Sequence, residues 1–158
     1  MNTVVVYDSQ YGNTERIAQA LAETLRAFGQ ARAVRVDPVH PVSFQGIDLL
    51  IVGCPTQGFR PTPAMQSLLE KVSPALLSGL AVVCFDTRFR GRLWQRSAAV
   101  VMARQLRSLG VEPLVPPESF FVKAVKKEGP LLAGEVERAA TWALTLFTKV
   151  EASHPAMR

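Results

Sequence analysis

Residues 4–15 read Val4-Val5-Val6-Tyr7-Asp8-Ser9-Gln10-Tyr11-Gly12-Asn13-Thr14-Glu15: an apolar run, a short polar loop and the start of a helix. A continuous apolar run of this length is typical of a strand buried on both faces, as in a parallel sheet. The loop contains one glycine, and several backbone N–H groups converge where it enters the helix. Because the loop holds no lysine or arginine, we expect these dipoles to bind an anion such as phosphate.

The polar side chains of this loop have two interpretations. The Ser9 and Thr14 hydroxyls and the Asn13 amide are further donors for an anion, or they only cap the first helix while Gly12 serves the turn. Two other phosphate loops are absent, since the chain contains neither G-x-x-x-x-G-K-[ST] nor G-x-G-x-x-G. Their absence excludes the nucleotide hydrolases and the dinucleotide-binding proteins that carry these motifs.

The rest of the chain alternates apolar runs with helical patterns. Residues 49–52 and 80–85 predict buried strands, and weaker patterns predict strands at residues 33–36 and in a run ending at Val122. Apolar residues at helical spacing predict a helix after the first strand, after the strands at residues 49–52 and 80–85, and after the run ending at Val122. Strict alternation predicts βαβ units and a parallel α/β sheet covered by helices on both sides. We expect one domain over residues 1–150, with residues 151–158 as a C-terminal tail.

Composition limits the class of protein further. The chain has 158 residues, of which 48% are hydrophobic, and it carries a formal net charge of +5. No stretch approaches the roughly 20 apolar residues of a membrane span, so we expect a soluble, cytoplasmic protein. Cys54 and Cys84 lie in or just after buried apolar runs and are interpreted as reduced core thiols.

The run Ser9-Gln10-Tyr11-Gly12-Asn13-Thr14-Glu15 resembles the signature of the flavodoxin family. In that family a hydroxyl residue, two variable residues and then Gly-Asn-Thr wrap the phosphate of flavin mononucleotide (FMN). The resemblance covers nearly the whole chain in element order. It implies a doubly wound five-stranded parallel sheet with strand order 2-1-3-4-5. The segment from Val111 to Val122 has no room for the insertion of long-chain members, so the chain resembles the short-chain form.

The resemblance also implies which loops hold the flavin ring. They are the ends of strands three and four, with these candidate residues: Pro55, Thr56, Gln57, Gly58 and Phe59; Phe85, Asp86, Thr87, Arg88 and Phe89. Gly58 would supply the peptide whose carbonyl turns toward flavin N5 on reduction. Backbone N–H groups near Asp86 would bind the pyrimidine edge of the ring. Thr56 and Gly58 could instead belong to an ordinary turn between two prolines.

The ring loops depart from the family pattern at their aromatic positions. Gln57 stands where the family often has tryptophan, so the inner face of the ring is expected to be less covered. Phe89 takes the position of the tyrosine that covers the outer face, and Trp94 is the competing candidate. Each could instead be a partly exposed core aromatic.

Two other functional classes share single features with this chain. Cys54 and Arg60 have the C-x5-R spacing of a phosphotyrosine phosphatase, but a proline directly follows the cysteine and removes an N–H that such a loop needs. A phosphoacceptor receiver domain needs an aspartate at the end of strand three, where this chain has Gly53-Cys54. Both classes are therefore disfavoured.

A cluster of arginines follows strand four. Its members are Arg88, Arg90, Arg92, Arg96, Arg104 and Arg107. If the first three approach the ring, they favour reduced, anionic flavin and make the hydroquinone couple less negative than in an acidic homologue. Otherwise they point into solvent or pair with acids.

The expected function is electron transfer by FMN, with redox protein partners, acidic ones among them, or with an anionic small substrate. Neither nucleic acid nor a membrane is an expected partner. The alternatives are a quinone- or porphyrinogen-linked oxidoreductase of the same fold and a flavin-free binding module.

Overall fold

A computed structural model describes residues 1–37, 43–91, 96–124 and 129–153. The strands are β1 (Thr3–Tyr7), β2 (Ala31–Arg35), β3 (Leu49–Pro55), β4 (Ala81–Phe89) and β5 (Glu118–Val122). The helices are α1 (Asn13–Leu25), α2 (Pro63–Lys71), α3 (Pro74–Leu77), α4 (Ala98–Ser108) and α5 (Glu135–Ser153), and a 3₁₀ turn (Arg26–Phe28) follows α1.

The five strands form one parallel sheet in the order β2-β1-β3-β4-β5. This confirms the fold class predicted from the sequence. Because β1 lies between β2 and β3, the chain order reverses at β1, and the loops after β1 and β3 leave the same edge of the sheet. Such a switch point is where open α/β sheets bind ligands.

Both faces of the sheet are buried, which explains the continuous apolar runs. Alternate residues of β1, β3 and β4 point to opposite faces. Val5, Ile51 and Val83 pack on the side of α1 and α5, whereas Val4 and Leu50 pack on the side of α2 and α4. Cys54 and Cys84 are free, buried thiols, as predicted.

The connection between β2 and β3 is an exception to strict alternation. Its described residues, 36–37 and 43–48, contain no helix. Pro38, Pro41 and Gly46 fall within this short connection, and residues of these types interrupt a helical pattern. The prediction of a helix between every pair of strands is therefore not met in the described part of this connection.

Three predicted boundaries also differ from the structure. β4 continues through Phe89 because residues 85–89 pair with β5, so the segment from Phe85 is strand and not loop. The apolar pattern predicts a last helix from about Leu131, but α5 begins at Glu135, and Leu131 forms a bridge with Val122. α5 also runs to Ser153, past the predicted start of the tail at residue 151.

Candidate cofactor-binding site

A cleft of about 480 Å³ lies at the carboxyl ends of β1, β3 and β4. Its volume falls within the range of roughly 300–1,000 Å³ that is usual for small-molecule sites. The structure brings together residues from all three predicted segments and adds two further residues, Val122 and Gly129. The lining residues are Ser9, Gln10, Tyr11, Asn13, Thr14, Pro55, Thr56, Gln57, Gly58, Thr87, Arg88, Phe89, Val122 and Gly129.

The loop after β1 presents unused backbone donors. Gly12 has a φ of 88° at the N-cap of α1, a conformation that costs an L side chain about 1–2 kcal/mol. The Ser9 hydroxyl oxygen accepts the N–H groups of Gly12 (3.1 Å) and Glu15 (3.3 Å), which holds the loop in a tight curve. Four N–H groups form no hydrogen bond with any described residue, those of Gln10, Tyr11, Asn13 and Thr14. Four free donors at a helix N-terminus make a cradle for an anion.

The polar side chains of this loop are engaged inside the protein. The Asn13 amide donates to the Gly129 carbonyl at 2.7 Å. The Thr14 and Thr87 hydroxyls hydrogen-bond each other at 2.7 Å, where both side chains are buried. The Ser9 hydroxyl keeps its proton for a ligand, whereas the Asn13 amide and the Thr14 hydroxyl tie the loop to neighbouring elements.

A cation from β2 reaches the loop, although the loop itself has none. The Arg35 guanidinium lies 3.4 Å from the Asp8 carboxylate and also donates to the Ser9 carbonyl. The Asp8 carboxylate in turn accepts the Ser9 N–H at 2.9 Å. The sequence interpretation missed Arg35, because only the pairing of β2 with β1 places the two side by side.

The segment after β3 is a two-residue hairpin. Gln57 and Arg60 exchange both backbone hydrogen bonds, at 2.9 and 3.0 Å. Gly58 (φ 53°) and Phe59 (φ 64°) are the central residues, and positive φ at both positions is typical of a type I′ turn. The Gln57 side chain donates to Gln10 at 2.5 Å, so it links this hairpin to the loop after β1.

Two aromatic side chains lie at the mouth of the cleft, and a third lies beside it. Tyr11 is 43% exposed and Phe89 45% exposed, and both line it. Phe59, at the hairpin tip, is 50% exposed and faces a neighbouring cleft. Trp94, the competing candidate for the outer ring face, lies outside the described residues, as does Arg92.

Phe85 does not line the cleft. Its side chain is fully buried against Phe120, with the ring centroids 5.9 Å apart. A Cβ on Gly53 would lie 2.1 Å from the Phe85 ring, so the glycine makes room for it. The alternation of β4 turns the Phe85 side chain toward the α1 and α5 face, so this candidate ring residue does not present its side chain to the cleft.

Asp86 is also fully buried and lies behind the cleft. Its Oδ2 accepts the Ala99 N–H at 2.9 Å and the Thr56 hydroxyl at 3.2 Å, and Thr56 accepts the Ala98 N–H at 2.9 Å. Burial raises the pKa of Asp86, opposed by the Ala99 N–H, nearby serine hydroxyls and Arg88. Asp86 therefore joins the end of β3 to the N-terminus of α4.

The arginines of β4 and of the segments after it divide into those with and those without an ion pair. Arg88 is 13% exposed, lies 3.8 Å from the Asp86 carboxylate and donates to the Ser119 hydroxyl at 3.0 Å. Arg107 forms an ion pair with Glu112 at 2.9 Å. Arg90 lies over the Phe121 ring and forms no ion pair with a described residue.

Described residues at the end of β5 and just before α5 close the far side of the cleft. Val122 bridges to Leu131, and the Lys123 N–H donates to the Pro130 carbonyl at 2.8 Å. A Cβ on Gly129 would lie 1.7 Å from the Lys123 carbonyl oxygen, so only glycine fits there. The sequence interpretation missed this wall, although Gly129-Pro130 is a turn signal.

The structure also bears on the Cys54 thiol and on membrane-spanning segments. Burial raises the pKa of the Cys54 thiol to about 12, which removes the nucleophile that a phosphatase would need. No helix among the described residues is long and apolar enough to cross a membrane.

Known proteins match this chain in sequence and in fold. The family model described as Flavodoxin matches residues 5–116. Flavodoxin 2 of Bacillus cereus is 22% identical, with a TM-score of 0.71 over 94% of this chain and 99% of that protein. A Streptococcus pneumoniae flavodoxin is 22% identical, with a TM-score of 0.72 over 94% of this chain and 99% of that one. Rubredoxin:oxygen oxidoreductase of Desulfovibrio gigas is 22% identical, with a TM-score of 0.71 over 96% of this chain but 36% of its own length.

Proposed function

The chain belongs to the flavodoxin family, and from that premise we propose that its cleft binds FMN and that the protein transfers electrons through it. The observation that carries the proposal is the set of four free N–H groups at the loop after β1, next to a cleft with aromatic side chains at its mouth. One end of the cleft suits a phosphate and the other a flat ring.

At the phosphate end, residues of the loop would bind by hydrogen bonds and the helix dipole. The N–H groups of residues 10, 11, 13 and 14 would donate to phosphate oxygens, with the Ser9 hydroxyl as a fifth donor. Asn13 and Thr14 would act indirectly, because their side chains hold the loop against Gly129 and Thr87.

At the ring end, Tyr11 and Phe89 are the aromatic candidates for stacking, since both are nearly half exposed and line the cleft. Gly58 has space for backbone movement, because a Cβ there would contact nothing within 4 Å. The bound flavin would supply the redox chemistry, and the protein would set its exposure and electrostatic surroundings. Of the three arginines expected near the ring, Arg88 lines the cleft 3.8 Å from the Asp86 carboxylate, and Arg90 lies in the adjoining cleft and also acts on Glu135.

A decisive experiment separates phosphate recognition from ring recognition. Gly12→Ala should strain the cradle at φ 88° while its Cβ meets no neighbour, and should weaken FMN binding by about tenfold. Riboflavin has the same ring but no phosphate, so its affinity should change much less. The matched control is Gly110→Ala, which has the same open surroundings and a φ of 79° after α4, and should leave FMN affinity unchanged.

Absorbance in the blue and near ultraviolet reports FMN uptake directly. Purified protein that is colourless and fails to take up added FMN would refute the proposal and favour a flavin-free binding module. Equal losses of FMN and riboflavin affinity in Gly12→Ala would contradict the assignment of the phosphate end.

A second candidate function is a flavin-dependent oxidoreductase acting on a quinone or porphyrinogen. It is favoured by a second cleft beside the first, lined by Phe59 and Arg96 among others. Steady-state turnover with electron donors and quinones would identify an oxidoreductase, whereas a carrier should show only stoichiometric electron exchange.

A further inference from the structure

A second cleft of about 390 Å³ adjoins the candidate cofactor site. The two clefts share Thr56, Gly58, Arg88 and Phe89 as a common wall. We call it the arginine cleft, and its described lining residues are Thr56, Gly58, Phe59, Arg88, Phe89, Arg90, Gly91, Arg96 and Ser97. Its volume suits a small molecule.

The arginine cleft has an aromatic wall held in a demanding conformation. Phe59 occupies the left-handed region (φ 64°), which bulky residues rarely adopt and which costs of order 1–3 kcal/mol. The reciprocal backbone bonds of Gln57 and Arg60 fix this geometry. The ring is 50% exposed, with the Arg96 guanidinium 5.9 Å from its centroid. The strained backbone of Phe59 presents its ring to an open cleft, where the ring offers a flat apolar surface to a ligand.

The charges of the arginine cleft are one-sided. None of its described lining residues is acidic, and neither Arg90 nor Arg96 pairs with an acid among the residues that the structure describes. Arg88 differs, because the buried Asp86 carboxylate lies 3.8 Å away. Arg96 therefore provides a positive charge at the rim that no described acid compensates, and Arg90 adds a second positive charge that also acts on Glu135.

The N-terminus of α4 does not provide the attraction for an anion. The Ala98 N–H donates to Thr56 and the Ala99 N–H to Asp86. The Val100 N–H donates to the Ser97 hydroxyl at 3.3 Å. Since the first donors of the helix are used, recognition at this cleft has to come from the arginine and phenylalanine side chains.

We propose that the arginine cleft binds planar aromatic carboxylates. Phe59 would stack on the ring of the ligand, and Arg96 and Arg90 would pair with its carboxylate. A ligand held there would share the Phe89 and Arg88 wall with the flavin. Its position as a neighbour of the cofactor rests on the proposed function, whereas its binding to the cleft does not.

The test is calorimetric titration of the full chain, with and without FMN, using 2-naphthoate as the probe. The neutral isostere 2-naphthamide tests the charge, and cyclohexanecarboxylate tests planarity. Naphthoate should bind at one site per chain, at least about tenfold more tightly than either comparison compound, and more weakly as salt is raised.

Two variants and a matched control assign the site. Arg96→Gln removes an exposed cation, and Phe59→Asn removes the ring but keeps a residue that tolerates positive φ. Each should weaken naphthoate binding by about fivefold or more. Arg104→Gln removes an exposed arginine of α4 that lies outside the cleft, and should leave naphthoate binding unchanged.

The remaining outcomes are distinguishable. The proposal is overturned by absent naphthoate binding, by equal affinity for the comparison compounds, or by equal losses in Arg96→Gln and Arg104→Gln. One-for-one displacement of FMN by naphthoate would overturn it too, because the probe would then occupy the cofactor site. Naphthoate binding by protein that takes up no FMN would refute the proposed function and leave the arginine cleft intact.

Discussion

The contact between Thr56, Asp86 and α4 allows a sharp comparison of two chemically identical substitutions. Thr56→Val removes a hydroxyl that accepts the Ala98 N–H at 2.9 Å and donates to the Asp86 carboxylate at 3.2 Å. Thr3→Val removes a buried hydroxyl that has no hydrogen-bond partner among the described residues. Valine has nearly the same shape as threonine, so the two variants differ mainly in which hydrogen bonds are lost.

The expected magnitudes follow from these contacts. In Thr56→Val the Ala98 N–H loses its acceptor at a fully buried residue, which costs about 1–3 kcal/mol. The lost hydrogen bond to the Asp86 carboxylate adds about 1–2 kcal/mol, and the new methyl group offsets part of both. We expect the free energy of unfolding to fall by about 2–4 kcal/mol. Thr3→Val should leave it unchanged or raise it by up to about 1 kcal/mol, because an unpaired buried hydroxyl is replaced by a methyl group.

The pH dependence gives an independent check on this account. Burial raises the pKa of Asp86 in the folded protein, so its contribution to stability is full at acid pH and is lost as pH rises through the folded pKa. Thr56→Val withdraws a donor from the ionised carboxylate and raises the pKa of Asp86 further. The loss caused by Thr56→Val should therefore be larger at a pH above the folded pKa of Asp86 than at a pH below it, whereas the effect of Thr3→Val should not change.

The assay is urea unfolding followed by circular dichroism at both pH values. With a slope of roughly 2 kcal/mol per molar urea, the midpoint of Thr56→Val should fall by about 1–2 M. Thr56→Ser keeps the hydroxyl and should recover most of the loss. Equal effects of Thr56→Val and Thr3→Val, or a Thr56→Val loss that is the same at both pH values, would refute the reasoning.

Three further predictions concern the cofactor site. Phe85→Leu should lower the free energy of unfolding by about 1–2 kcal/mol, because the Phe85 ring fills the space left by Gly53. Its FMN affinity, measured by equilibrium titration, should be unchanged. A loss of FMN affinity without a loss of stability would show that Phe85 belongs to the cofactor site. Asn13→Ala should weaken FMN binding by about threefold to tenfold, because the 2.7 Å bond to the wall of the cleft is lost, and an unchanged dissociation constant would contradict this role. Arg90→Glu should make the hydroquinone couple of bound FMN more negative by tens of millivolts, the size expected for a charge interaction at the surface, and spectroelectrochemistry measures this shift. The same shift in Arg104→Glu would show that only net charge matters.

The predictable parts of the site are local in the chain. The anion cradle lies within residues 9–14, where strand, glycine and helix start follow one another. The hairpin after β3 is also local, although its positive φ at Phe59 has no counterpart in residue preference. Short-range backbone geometry is encoded by neighbouring residues, so sequence motifs and apolar periodicity can predict it.

The remaining parts depend on partners that are distant in the chain. Residues 85–89 read as the start of a loop, but pairing with β5 extends the strand through Phe89. The alternation of that strand then turns Phe85 into the core. Asp86 is a residue type that often binds ligands, but here the N-terminus of α4 packs against it, and its carboxylate accepts a hydrogen bond from the Ala99 N–H.

By itself the sequence determined the strand–loop–helix unit at residues 4–15, the doubly wound parallel sheet and the location of the cleft at its carboxyl edge. The tertiary structure decided which side chains face that cleft. It buried Phe85 and Asp86, brought Arg35 to the first loop and closed the far wall with Val122 and Gly129. The physical reason is that burial and backbone pattern are local requirements, whereas the direction of a side chain in a sheet is fixed by the strand or helix that packs beside it.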